Sequence, residues 1–94
     1  MALTIKKEFG IYEVNGELNA QNMNSLRSYF ETIMEHSAYI KLSLNKIIGL
    51  DMTGVKFISS LYKKAVKKNK VFFIVDLYDK EIVQLFKKEN IFTY

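Results

Sequence analysis

Cysteine and proline are absent from this 94-residue chain, and histidine occurs once, at His36. Without cysteine there is neither a disulfide framework nor a thiolate metal site, and the redox compartment is left open. A single histidine argues further against a metal centre. With no proline, internal repeat or low-complexity stretch, there is no sign of a second domain or tail, and a single domain over residues 1–94 is expected. No apolar run approaches the roughly 20 residues of a membrane span. The start, Met1-Ala2-Leu3-Thr4-Ile5-Lys6-Lys7, lacks the basic-then-apolar pattern of a signal peptide. A cytoplasmic protein without membrane insertion is the expectation.

Recognisable catalytic motifs are missing too. The sequence holds no phosphate-binding glycine loop followed by lysine, no Gly-x-Gly-x-x-Gly and no His-Glu-x-x-His. A nucleophile triad would depend on His36, which falls at the end of a predicted helix, where its natural role is to complement the helix dipole. Asp51 has no acidic neighbour in its loop, and the next acid downstream is Asp76, so paired-carboxylate chemistry has no obvious seat. An enzyme is not expected, and no cofactor is implied.

What the chain does have is apolar content, 49% of its residues, enough for one core at this length. A monomer is expected. Leu3-Thr4-Ile5 and Ile11-Tyr12-Glu13-Val14 alternate and read as two strands joined by a turn near Glu8 to Gly10, with Asn15-Gly16 ending the pattern. From about Asn22 to about His36, Met23, Leu26, Phe30, Ile33 and Met34 recur at helical spacing. Ile40, Leu42 and Leu44 share one face of a third strand. Val55, Ile58, Leu61, Tyr62, Ala65 and Val66 form a second helical stripe.

Val71-Phe72-Phe73-Ile74-Val75 is continuous, short and rich in β-branched and aromatic residues, which predicts a central strand covered on both faces. Asp79 suits the N-cap of a third helix with Ile82, Leu85 and Phe86 inward and Lys87 and Lys88 at its negative end. Ile91-Phe92 then closes the chain as a short edge segment. The order β-β-α-β-α-β-α, with helices as right-handed crossovers, gives an α/β domain with a mixed sheet of about four strands. Most aromatic residues fall on predicted buried faces.

Two features remain. Gly49-Leu50-Asp51-Met52-Thr53-Gly54 places a single hydroxyl, Thr53, where loop turns into helix. There it serves equally as an N-cap or as a phosphoacceptor, since unpaired N–H groups and the helix dipole favour a phosphate. Asp51 reads as a loop hydrogen-bond acceptor or as an aid in presenting Thr53. The second feature is a run of six lysines from Lys56 to Lys70 with no acid among them, within a net charge of +4. Lys56, Lys63, Lys64, Lys67 and Lys68 lie opposite the apolar stripe. No base-stacking aromatics are interleaved with them, so a solvated face is favoured over nucleic-acid contact.

Three motifs in order resemble the STAS domains of the bacterial anti-sigma factor antagonist family over essentially the whole chain. Val14-Asn15-Gly16-Glu17-Leu18-Asn19-Ala20 is similar to that family's Gly-Glu-Leu-Asp-Ala stretch. Lys41-Leu42-Ser43-Leu44 followed by Gly49-Leu50-Asp51-Met52-Thr53-Gly54 is similar to its strand and Asp-Ser-Ser/Thr-Gly. Asn69-Lys70 before Val71 to Val75, and a final helix ending near Asn90-Ile91, complete the order.

The resemblance implies that Thr53 is phosphorylated by a serine/threonine kinase that is also the anti-sigma factor. The unphosphorylated chain would bind that kinase and free the sigma factor, and a phosphatase would reset the switch. It implies a partner-facing surface of Asn19, Asp51, Met52, Thr53, Gly54 and Lys56. Met52 stands where the family's first hydroxyl does, Asn19 where aspartate is frequent, and Val55 where leucine is common. The alternative role is a non-switching interaction subunit of a transporter or signalling complex.

Overall fold

The computed structural model describes residues 3–94. Eight elements follow in order: β1 (Thr4–Glu8), β2 (Ile11–Glu17), α1 (Ala20–His36), β3 (Tyr39–Ser43), β4 (Ile47–Ile48), α2 (Met52–Lys67), β5 (Val71–Val75) and α3 (Lys80–Lys88). The main sheet runs β1-β2-β3-β5, antiparallel between β1 and β2 and parallel thereafter. The expected α/β domain with a mixed sheet is therefore found, with β4 added.

β1 and β2 meet through a two-residue turn in which Phe9 (φ 51°) and Gly10 (φ 77°) both take positive φ, as a type I′ hairpin requires. Glycine does this freely, whereas Phe9 does so at a cost and is 98% exposed. Phe9→Asn is expected to stabilise the domain by about 1 kcal/mol, because asparagine tolerates this conformation. That is a rise of about 4–8 °C in melting temperature, readable by calorimetry.

β2 continues through Asn15-Gly16 instead of breaking there. Gly16, at φ 114°, keeps pairing because β4 lies beside it, with Gly16 opposite Ile47 and Glu17 opposite Ile48. A two-residue strand is too short to leave a periodic signal. α1 begins two residues before the expected start. Asn19 and Asn22 form a reciprocal capping box: the Asn19 side chain accepts from the Gln21 and Asn22 N–H groups, and that of Asn22 accepts from the Asn19 N–H. At the other ends, Asn69 (φ 60°) and Asn90 (φ 62°) close α2 and α3. In each case the next residue donates back five positions along the chain, Lys70 to the Ala65 carbonyl and Ile91 to that of Phe86.

β2, β3 and β5 step across the sheet in one direction. Successive right-handed crossovers of that kind put α1 and α2 on the same side. Burial agrees: Tyr12, Val14, Ile40, Leu42, Phe72 and Ile74 face the helices and are buried, while Lys6, Tyr39 and Lys41 on the opposite face are exposed. Phe30 of α1 is the hinge of this core, packed edge-on against Tyr12 and Phe72.

The one-sided sheet overturns the expected place of β5. It is the last main strand, not a central one, and only Phe72 and Ile74 are buried, with Val71 37% exposed. Its second face is sheltered by the chain end. Tyr94 stacks edge-on with Phe73 and donates its N–H to the Ile74 carbonyl at 2.8 Å, while Thr93 bridges Ile74 in parallel. A closing edge segment is thus found, at Thr93-Tyr94 and not at the expected Ile91-Phe92. Val66 is exposed, and so are Phe9, Tyr39, Tyr78, Phe92 and Tyr94, so fewer aromatics enter the core than the apolar stripes suggested.

Candidate functional site

Three chain segments meet at the carboxyl ends of the parallel strands: the exit of β2, the β3–α2 loop and the loop after β5. β4 fastens the second to the first, with the Gly16 N–H donating to the Lys46 carbonyl at 3.1 Å. The loop then turns at Gly49 (φ 65°) into α2.

The N-cap of α2 is Asp51, not Thr53. Its Oδ1 accepts the Gly54 N–H at 3.0 Å and its carbonyl takes the Val55 N–H at 2.9 Å. A carboxylate reaches the third N–H of the helix better than a branched hydroxyl set two residues inside it. Thr53 is therefore the second helical residue, exposed, with its side chain released from capping. Among the described residues, no hydrogen bond at this helix start uses the Met52 or Thr53 N–H. Asp51→Ala should cost about 1 kcal/mol. Asp51→Asn should cost much less, since the acceptor survives; urea midpoints of the two variants check this.

Gly54 is buried beneath the loop. A Cβ there would meet Leu50 Cδ1 at 2.6 Å and Leu18 Cδ2 at 3.4 Å. The glycine thus lets the helix start settle against residues from two segments. Leu18 directly precedes the α1 cap Asn19, so this contact ties the two helix starts together. Lys56 is exposed one turn after Thr53, within reach of an i, i+3 partner.

Of the residues singled out from sequence, Asp51, Met52, Thr53 and Lys56 line one exposed helix start. Gly54 lies under it, and Asn19 caps the neighbouring helix. Ile48, 55% exposed in the loop that leads to α2, carried no sequence signal because β4 did not, and Met52 at the helix start is 43% exposed. The loop also borders an open cleft of about 310 Å³ lined by Leu44, Ile47, Leu50, Leu77 and Ile82. Its one acid, Asp79, is occupied in capping α3 through the Glu81 and Ile82 N–H groups. Among the described residues no three His, Cys, Asp or Glu side chains gather to hold a metal, and no helix is long and apolar enough to cross a membrane.

Residues 1–93 match the family model described as the STAS domain. The fold is similar to that of an anti-sigma factor antagonist from Mycobacterium paratuberculosis, with a TM-score of 0.72 and 17% identity over 97% of this chain and 81% of that one. It is also similar to the anti-sigma factor antagonist SpoIIAA in its unphosphorylated form, with a TM-score of 0.70 and 12% identity over 95% of this chain and 81% of that one. Comparison with curated protein sequences finds no match.

Proposed function

The chain belongs to the STAS domain family, and from that membership we propose that it is an anti-sigma factor antagonist switched by phosphorylation at Thr53. The observation that carries this reading is the exposed Thr53 hydroxyl one residue inside the first turn of α2, freed from capping by Asp51. The fold shared with two anti-sigma factor antagonists supports the partner class.

In the unphosphorylated state, Thr53, Met52 and Ile48 form an uncharged, partly apolar contact that an anti-sigma factor covers, releasing its sigma factor. The same partner acts as the kinase. The γ-phosphoryl group of ATP passes to Thr53 Oγ1: a new O–P bond forms, the bond to the β-phosphate breaks, ADP leaves, and the hydroxyl proton goes to a base of the kinase. This chain is then the substrate and supplies no catalytic group or cofactor.

The product carries about −1.5 to −2 additional charges within the contact. The unused N–H groups and positive dipole end of α2 hold the phosphate, and Lys56 pairs with it from one turn on. The domain therefore stays folded while docking is lost through charge and bulk, until a phosphatase removes the group.

Incubation with the anti-sigma kinase and ATP, followed by mapping of the modified peptide by mass spectrometry, tests the assignment. Phosphate on Thr53 is expected. Modification of another hydroxyl, such as Ser60, or none, would refute it.

A further inference from the structure

α2 is the middle helix of its layer, packed against both α1 and α3, so its outer face is the crest of the molecule. Thr53, Lys56, Ser60, Lys63 and Lys67 are all exposed and follow one another at spacings of three, four, three and four, with Lys64 beside them. That spacing keeps them in one row on a helix. From Thr53 to Lys67 the row is about 21 Å long at 1.5 Å per residue. No acid occurs between Asp51 and Asp76.

The molecule's own carboxylates already use this row from its two flanks. Glu31 of α1 pairs with Lys64, and Glu89, just past α3, lies 3.8 Å from Lys63. Lys56, Lys67 and Lys68 have no ion-pair partner among the described residues. Between the ammonium groups, Ser60, Lys63, Lys64 and Lys67 enclose a shallow trough, walled by the methylene stems of the lysines.

We propose that this lysine ridge is a docking surface for an acidic, amphipathic helix of a partner protein, laid along α2 with its carboxylates on the lysine row. Identification of that partner with the anti-sigma factor rests on the reading above, because the row begins at Thr53. Phosphate on Thr53 would then add negative charge at the head of the ridge and engage Lys56, weakening the same contact. The flanking Glu31 and Glu89 border the positive strip, which is one helix row wide and suits a partner helix laid along it. A nucleic-acid backbone would meet a carboxylate on either side, and the ridge carries no exposed aromatic to stack on a base. A bilayer would find only Met52 and Val66 exposed on α2 as apolar anchors, set among the lysines.

The test titrates isotope-labelled protein with a synthetic helical peptide bearing glutamates at three-four spacing along one face, and with the same composition scrambled over all faces. The two peptides carry the same charge, so a surface that answers to charge alone would not tell them apart. The striped peptide should move the amide signals of α2 between Lys56 and Lys68. It should bind about tenfold more tightly than the scrambled one and weaken steeply as salt shortens the screening length from about 10 Å at 0.1 M to about 3 Å at 1 M. Lys56→Gln/Lys63→Gln/Lys67→Gln, checked for native circular dichroism, should lose about tenfold in affinity. Lys41→Gln, on the opposite face of the sheet, should lose nothing.

Equal binding of the two peptides, shifts scattered over the surface, or tighter binding of a DNA duplex through the same lysines would overturn the proposal. None of those results bears on whether Thr53 is phosphorylated. Conversely, a ridge that selects the striped peptide in a chain whose Thr53 no kinase modifies would uphold the surface and defeat the switch.

Discussion

Thr53→Asp is expected to weaken binding of the anti-sigma partner about a hundredfold, or ~2.7 kcal/mol, while Thr53→Ala leaves it within a factor of about two, ~0.4 kcal/mol. The contrast follows from the division of labour at the helix start. Asp51 does the capping through its bond to the Gly54 N–H, so removing the Thr53 hydroxyl disturbs neither the helix nor its fold. Placing a carboxylate there sets a negative charge that the α2 N-terminus and Lys56 hold in the free chain but that the partner surface does not match, and such mismatched charges cost several kcal/mol at a docked interface. Calorimetric titration of the three proteins gives the answer. Had Thr53 been the cap, the alanine variant would lose about 1 kcal/mol of stability as well, which a parallel melt would reveal.

Gly54→Val is expected to destabilise the domain by about 1–2 kcal/mol, the lower part of the range for overpacking, because the atom met is the tip of the half-buried Leu50 side chain, which can turn partly aside. A Cβ at position 54 falls 2.6 Å from Leu50 Cδ1, far inside contact distance. Helix propensity alone points the other way, since valine is a better helix former than glycine by a few tenths of a kcal/mol, so a net loss isolates the contact. Leu50→Ala in the same chain should return about 1 kcal/mol or more, a coupling of the size expected for touching residues. Denaturant unfolding of the two single variants and the double variant closes the cycle. Partner affinity should follow, because the displaced loop carries Ile48 and Asp51.

Where local chemistry decides the structure, it was readable in the residues: Gly10 at the hairpin, Asp79 ahead of α3, and the apolar rows of α1 and α2. Thr53 was found for a related reason, being the single hydroxyl at a loop-to-helix junction. Its capping role was misread because Asp, two residues earlier, competes for the same N–H groups and wins by reach. β4 escaped because two residues have no period. β5 looked central because a run of five apolar residues does not distinguish cover by a second helix layer from cover by the chain's own end, and here Tyr94 supplies that cover. Asn19 drew attention through resemblance alone, although its spacing to Asn22 also encodes the capping box that starts α1. The STAS framework accounts for the order of elements, and the packing of Leu18 and Leu50 on Gly54 accounts for where the site sits.

The central claim is a reversible switch on one hydroxyl. Its most direct measurement is the affinity of the anti-sigma partner for this chain before and after enzymatic phosphorylation, with the phosphate located and the fold checked by circular dichroism. Binding by the unmodified chain, lost by about a hundredfold or more, ~2.7 kcal/mol, on phosphorylation at Thr53 with the spectrum unchanged, is the expected result. Equal affinity of the two forms would contradict the account.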